Sequence, residues 1–511
     1  MKRTNDPATH VNCACCDDPG LLHAAAASRR RFLETGAALL AGAAATPPLS
    51  VTALAQAGGG PDAELARLQS ARRILLKGGV VLSLDRQIGD FAAADVLIED
   101  GKIQEIHPNI AAANAATVDA ANHILIPGFI DTHNHSYQGL LRGILANGLL
   151  NPDYNRDVQT VLTPVYQASD AYAGVLLTAL GMIDAGTTGI VDISQASHTP
   201  EHSDAMIRAL QESGIRAVYA YHRGAGPAAQ YPQDIRRLQR TYFNSKDQLL
   251  TLALTANLNA DVYKVARDVG VPIVQHIVGT APTPSFQADM TAALQALARQ
   301  GLMRSGDEYI HCLGLDDAGW RLLRDTGAGV SLCPAIDMTM GHGTPTIQEA
   351  LEHGFRPSLS TDHPVNITQD AFSLMRQTFS FQRWQILERA RKGEQNLWPL
   401  LTSRDLLEFA TLAGARCANI DDKVGTLSPG KEADIVMLRA DQLGLWPLNN
   451  AAGSVVNLAN PAHVENVFIA GKVRKWRGRL VGVDMARVLR IAQESRDAVL
   501  RRANYQVSLL G

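Results

Sequence analysis

The chain is short of several things, and each shortage narrows what it can be. Only 5% of its 511 residues are aromatic, and its 47 Lys and Arg nearly balance 50 Asp and Glu, for a net charge of −3. That balance leaves no basic stripe, so nucleic acid is not expected as a partner. Cysteine is scarce. Cys13, Cys15 and Cys16 crowd near the start, and the remaining Cys312, Cys333 and Cys417 are odd in number with no Cys-x-x-Cys spacing. A disulfide framework is therefore not expected in the body of the chain, even at an oxidising destination. Long hydrophobic runs are missing too. The apolar stretch ending at Leu54 is interrupted by Pro47 and Pro48, and it falls short of the roughly 20 residues that a spanning helix needs.

What is present is ordinary globular material, 46% hydrophobic and 19% charged, enough to bury a large core. The length fits about two to four domains, or one large α/β barrel with an appendage. Ser28-Arg29-Arg30-Arg31-Phe32-Leu33, the Ala-rich stretch to Leu54 and the small-x-small Ala55-Gln56-Ala57 read as a twin-arginine signal peptide over residues 1–57. The expectation is export through the twin-arginine machinery to the periplasm or beyond. That route carries folded proteins, so a metal can be loaded before export. Residues 58–71 read as a linker.

Short strands follow. Ile74–Leu82 and Ala94–Ile103 carry a hairpin signal at Glu99-Asp100-Gly101-Lys102. The same texture returns at Gly425–Leu438 and Val464–Val473. Two β-rich flanks, residues 72–123 and 420–482, are expected to assemble one small β-sandwich. Between them, residues 124–419 alternate strand candidates with helical stretches such as Asp204–Glu212, Met290–Arg299 and Asp316–Asp325. The strand candidates are Ile124–Thr132, Gly189–Ser194, Ala217–Tyr221, Leu250–Leu254, Val271–His276, Tyr309–His311, Gly329–Leu332 and Arg356–Thr361. Eight strand–helix repeats predict an α/β fold, a (β/α)8 TIM-like barrel. Residues 483–511 are expected to form a C-terminal helical segment.

Polar residues stand at the C-terminal ends of these strands: His133 and His135 on the first, then His276, His311 and Asp362. In such a barrel those ends converge on one face. His133 and His135 share a side of their strand because side chains alternate with period two. Three neutral imidazoles and a carboxylate suit a divalent zinc or iron ion with a position open for water. Such an ion lowers the pKa of its water toward ~7. A carboxylate touching both can take the proton and pass it to a leaving nitrogen.

These residues carry a resemblance. From about Arg73 to Val481 the chain is similar to the amidohydrolase superfamily, nearest its cytosine deaminase and chlorohydrolase-like branch. The matching pieces are Pro127–His135 with Gln138–Gly143, Ala185–Thr188, His311-Cys312, Ser331–Pro334, Ser360–Asp362 and Gly430–Val436. The resemblance implies that His133, His135, His276 and Asp362 bind one divalent metal, zinc first with iron the alternative. It implies that Asp362 is the catalytic proton shuttle and that His311 contacts water or substrate. It also implies a homo-oligomer.

Two departures matter. Binuclear members carry a bridging lysine or glutamate at the end of the fourth barrel strand, whereas Leu250–Thr255 offers none, so a single metal is expected. Ring deaminases of this branch place a glutamate three residues after the fifth-strand histidine, where this chain has Gly279. The expected reaction is therefore hydrolysis of an amide-like or amidine-like C–N bond of a small molecule. The alternative is an aminohydrolase or dechlorinating hydrolase of an N-heterocycle, with His363 or His222 protonating the ring. A non-catalytic scaffold is disfavoured because every ligand and the acidic base are present. Gln138, His222 and His363 are the candidate substrate contacts, with Tyr137 and Arg142 beside them. Asp337 and His342, in the loop after the seventh strand, could contact substrate but read first as solvated loop residues, and His107, His353 and His463 read as surface residues.

Overall fold

The computed structural model describes residues 61–278 and 284–510. The expected signal peptide with Cys13, Cys15 and Cys16 lies outside them, as does Gly279. The predicted linker is corrected in its second half, because Pro61–Ser70 is a helix. Proline at its first position and the helix-forming Ala, Glu, Leu and Arg residues explain it. Leu65 and Leu68, three apart, share the face that packs into the adjoining sheet's core.

Seventeen strands are described: β1 (Arg73–Leu82), β2 (Asp90–Glu99), β3 (Lys102–His107), β4 (Ala116–Asp119), β5 (His123–Pro127), β6 (Phe129–Asn134), β7 (Thr187–Ile193), β8 (Arg216–Tyr221) and β9 (Leu250–Ala256), followed by β10 (Ile273–His276), β11 (Glu308–Ile310), β12 (Gly329–Leu332), β13 (Ser358–Leu359), β14 (Ile435–Arg439), β15 (Val464–Ile469), β16 (Lys472–Trp476) and β17 (Arg479–Leu480). β1–β5 and β14–β17 form one mixed nine-stranded sheet, in the order β17-β16-β15-β14-β5-β1-β2-β3 with β4 beside β1. The two flanks thus meet at the antiparallel β5–β14 pair, where Ile126 faces Val436 and Leu125 faces Met437. The sheet has its own core, including Leu76, Val96, Ile103, Leu125, Ile435 and Phe468.

β6–β13 form the second sheet, eight parallel strands in chain order. Its two edges meet through the Asn134–Asp362 bridge. There the Asp362 N–H donates to the His133 carbonyl and the His135 N–H to the Asp362 carbonyl, each at 2.9 Å. The eight-stranded α/β barrel expected from the sequence is present, with one correction at its start. The predicted strand Ile124–Thr132 is two strands in two sheets, split at Gly128. A Cβ on Gly128 would lie 2.1 Å from Thr188 Oγ1, so only glycine lets the chain pass from one sheet to the other this close to β7. The barrel therefore begins at β6, not at residue 124.

Two predicted helices sit inside longer ones, Pro200–Ser213 and Pro284–Arg299, and the third is displaced by one residue, to Asp317–Thr326 with Asp316 as its cap. Between β6 and β7 the chain makes an excursion that the alternation did not foretell. Irregular helical turns at Ser136–Leu141 and Leu150–Leu162 precede the helix Ala168–Asp184. The C-terminal segment is a helix, Met485–Arg502. Among the described residues no helix is long and apolar enough to cross a membrane.

Candidate metal centre

The five polar residues picked out at the strand ends come together at the barrel's closing seam. β6 delivers His133 and, just past its end, His135. Their Nε2 atoms lie 3.0 Å apart, and the His276 Nε2 at the end of β10 lies 3.0 Å from that of His133. Asp362 Oδ1 is 3.3 Å from His135 Nε2 and 3.6 Å from His133 Nε2. His311 Nε2 stands 3.7 Å from Asp362 Oδ2. Burial and mutual repulsion push the imidazoles of His133, His135 and His276 well below their ordinary range. They are therefore neutral, with lone pairs free to ligate. Burial also lifts Asp362 to about 7, with Asp337 and Asp131 adding to the shift and His342 opposing it. The single lone pair of His133 Nε2 can accept from only one of its two neighbours, so three neutral imidazoles packed this closely cannot all be satisfied by hydrogen bonds among themselves. With the carboxylate beside them they fit a divalent cation, whose charge draws Asp362 back to its ionised form.

The backbone is held here under constraint. Asp362 and His311 both have φ of 62° and Cys312 has 57°, left-handed values costly for non-glycine residues. Asp131 helps to hold them. Its Oδ1 accepts the His133 N–H at 3.1 Å and its Oδ2 the Thr361 N–H at 3.2 Å. It thus clamps the first barrel strand to the last, and burial raises its carboxyl to about 7. Asp131 escaped the sequence reading although a signal was there. It stands two before His133 and four before His135, on the same period-two face. Asp192, at the end of β7, accepts the Ser136 N–H at 3.1 Å and anchors the turn after His135.

Behind His311 lies a second buried group. His311 Nδ1 is 2.9 Å from Asp337 Oδ1, and His342 Nδ1 is 3.3 Å from the same oxygen. Asp337 and His342 are only 1% and 3% exposed, which corrects their reading as solvated loop residues. The loop after β12 folds into the short helix Pro334–Thr339 and turns both side chains inward. His342 leaves both ring nitrogens without a hydrogen-bond partner.

The candidate substrate contacts divide. His363 is buried with both ring nitrogens unpartnered, its ring stacked on Tyr154 at 4.5 Å, and burial pulls it to about 3. Gln138 is buried, and its Nε2 donates to the Tyr137 and Tyr154 hydroxyls at 2.9 and 2.8 Å. His222 is half-buried, its Nδ1 donating to the Arg223 carbonyl at 2.7 Å, and burial draws it to about 4. Arg142 is not brought to the centre. It lines a separate groove of about 750 Å³ that also includes Leu489 and Arg496 of the C-terminal helix. Tyr154, which the sequence reading missed, arrives on the irregular segment Leu150–Leu162, where no strand-end rule points. Of the histidines set aside, His107 is exposed and His353 stacks on Trp320 at 5.7 Å. His463 is a correction: it is buried and its Nδ1 accepts the Asn460 N–H at 3.1 Å.

Known proteins share this architecture. The 5'-deoxyadenosine deaminase of Methanosarcina mazei is 25% identical over 454 residues, covering 84% of this chain and 99% of its own. An adenosine deaminase from Xanthomonas campestris, solved with bound zinc, matches with a TM-score of 0.71 at 22% identity, over 84% of this chain and 98% of its own. The atrazine chlorohydrolase of Arthrobacter aurescens, complexed with zinc, gives a TM-score of 0.73 at 20% identity, over 83% of this chain and all of its own. These two likenesses speak for the fold. The sequence profile of the amidohydrolase family matches residues 124–474. That span covers the whole barrel and well over half the sequence, and the chain belongs to the amidohydrolase family.

Proposed function

We propose that this protein is a hydrolase that uses one divalent metal, zinc, to cleave a C–N bond of a small organic molecule. The observation that carries the reading is the convergence of the His133, His135 and His276 Nε2 atoms beside Asp362 at the barrel's closing seam. His133, His135, His276 and Asp362 would hold the ion. Bound there, it supplies Lewis acidity that makes a water acidic near neutral pH.

The remaining chemistry belongs to the side chains. Asp362 takes the proton from the attacking water and delivers it to the departing nitrogen. His311 faces Asp362 with one ring nitrogen and is held by Asp337 with the other, so its ring is fixed in place to orient water or the substrate atom under attack. His363, Tyr154 and His342 supply polar and aromatic surface around the centre. An amide-like or amidine-like substrate is the first reading, because the sequence has Gly279 where a ring-protonating carboxylate is needed.

Deamination or dechlorination of an N-heterocycle is the second reading. It is supported by the deaminase of M. mazei, which this chain matches over almost that protein's full length. The test is a hydrolysis screen of the zinc-loaded chain against simple amides, cyclic amidines, nucleobases, nucleosides and triazines, following ammonia, chloride and carboxylate release. Carboxylate without ammonia from a ring supports the first reading. Strong ammonia release from a nucleobase or nucleoside replaces it with the second, and no turnover on any class contradicts both.

Export and assembly belong to the same proposal. The Arg29-Arg30 pair with Phe32 and Leu33 supports a twin-arginine signal and a periplasmic or secreted protein. Replacing both Arg29 and Arg30 by Lys should retain the chain in the cytoplasm in a fractionation experiment, and undiminished export contradicts the reading. We infer a homo-oligomer, which a sedimentation measurement showing only monomer would overturn.

A further inference from the structure

His133 is the hinge of the metal centre, since its Nε2 is the atom that both His135 and His276 approach at 3.0 Å. To ligate through Nε2, a neutral imidazole must carry its proton on Nδ1. That proton needs an acceptor, because the side chain is fully buried. The acceptor present is a thiol: Cys333 Sγ lies 3.3 Å from His133 Nδ1. It is the one side chain that the described residues place on the second nitrogen of a ligating imidazole. His135 Nδ1, by contrast, has no side chain on it, and its ring meets only backbone there, at Ile193.

The thiol is itself held from behind. Cys333 Sγ is 2.9 Å from Ser360 Oγ, Ser360 Oγ is 3.1 Å from Ser331 Oγ, and Ser331 Oγ is 2.7 Å from Thr132 Oγ1. Thr132 Oγ1 lies 2.7 Å from Ser358 Oγ, and the Ser358 hydroxyl donates to the Val330 carbonyl at 3.1 Å. A buried chain of one thiol and four hydroxyls therefore runs under the metal centre, linking β6, β12 and β13. Each member can donate onward while accepting from the one before. The His133 N–H donates to sulfur and the S–H to Ser360, whose own hydroxyl has the Leu332 carbonyl at 3.2 Å and Ser331 Oγ at 3.1 Å as acceptors, and the remaining hydroxyls continue toward the Val330 carbonyl. Reversing the chain would aim the thiol proton at Nδ1 and move the imidazole proton to Nε2, where it would face His135 and His276.

We propose that Cys333 is a positioning residue for the metal: it fixes the tautomer and ring orientation of His133 so that Nε2 is bare toward the ion. Metal-ligating histidines are ordinarily steadied by a carboxylate, a carbonyl or water on the second nitrogen, and loss of such a partner weakens metal binding about 10- to 100-fold. Here sulfur takes that place. The inference rests on the proposed metal centre, and the test separates the two.

The experiment measures the zinc dissociation constant of the full chain by competition with a chelating dye, with circular dichroism to confirm folding and the visible spectrum of the cobalt-loaded protein as a second readout. Cys333→Ala and Cys333→Val both remove the acceptor, Val filling the thiol's space. Whichever folds should bind zinc at least 10-fold more weakly and show an altered cobalt spectrum. Cys333→Ser keeps an acceptor and should stay within about 3-fold of wild type. Cys417→Ala, a comparable deletion at a buried cysteine that meets Ser358 at the far end of the hydroxyl chain and Glu308 but no ligating histidine, should leave affinity unchanged. Wild-type affinity in folded Cys333→Ala or Cys333→Val overturns the inference, as does an equal loss in Cys417→Ala. A wild-type chain that binds no zinc overturns the metal centre itself.

Discussion

Among single residues, the most exacting demand falls on Asp362. It stands three residues past the last barrel strand in a left-handed conformation, bonds by its backbone to both His133 and His135, and reaches toward His311 with its second oxygen. Asn in its place keeps the shape and removes the proton acceptor. Asp362→Asn should therefore lower hydrolysis of any substrate found by about 10²- to 10⁴-fold, the usual worth of a positioned acid–base group. A variant that binds metal and turns over like wild type would contradict the role given to it. Asp337 is tested separately. Without an acceptor at this position the buried His311 loses the bond that fixes its ring, and Asp337→Ala should lower kcat by roughly tenfold or more with a smaller change in KM, by analogy with other buried Asp–His pairs. A change confined to KM would place Asp337 in substrate binding instead.

At the scale of elements, the site depends on two junctions. One is Gly128, where the chain leaves β5 for β6 with the Thr188 side chain where a Cβ would be. Gly128→Ala must displace Thr188 or the strand. The expected cost is about 1–3 kcal/mol, the range for overpacking, read as a lower denaturation midpoint; an unchanged midpoint would show that the junction has slack. The other junction ties β5 to β15 through His123 and Glu465, whose side chains are in direct hydrogen-bond contact. Burial alone would pull His123 down, yet Glu465 and the Ala121 carbonyl hold it above its ordinary 6.5. Glu465 is in turn held below its ordinary 4.5, chiefly by His123. A raised histidine contributes stability that is full below about 6.5 and is lost as pH rises through its higher folded value. The glutamate's share is present above about 4.5 and is lost as pH falls through its lower folded value. Glu465→Gln should therefore cost more stability at pH 5.5 than at pH 8.5 in denaturant titrations, and a pH-independent loss would contradict the pairing.

In the molecule as a whole, a barrel and a mixed sheet are threaded together so that the first and last barrel strands close around the metal centre. Much of this was legible in the chain. The alternation of short apolar runs with helical stretches gave the barrel, and the strand-end rule found His133, His135, His276, His311 and Asp362 because each stands at or just past the C-terminal end of a strand candidate. Other parts were hidden for physical reasons. The β5–β6 split is invisible to periodicity, since both pieces are apolar and only the crowding at Gly128 separates them. Asp337 and His342 follow a strand by several residues, and their burial depends on how the loop after β12 coils back. Tyr154 comes from an irregular segment with no pattern to read. Cys333 entered the sequence reading as one of three cysteines without a pairing pattern, and nothing in the chain sets it beside His133, 200 residues away. The bound ion should also stabilise the fold. Zinc at a hundred times its dissociation constant should add about 2.7 kcal/mol over the metal-free chain, and no change in unfolding midpoint on chelation would show that the centre contributes nothing to folding.

The most direct test of the central claim is the metal content of the purified chain, measured by elemental analysis for wild type and for His135→Ala and His276→Ala. The account predicts about one divalent ion per wild-type chain, with zinc predominating, and its loss from both variants while the fold persists. A wild-type chain that takes up no metal when loaded with zinc, or variants that retain the wild-type content, would contradict it.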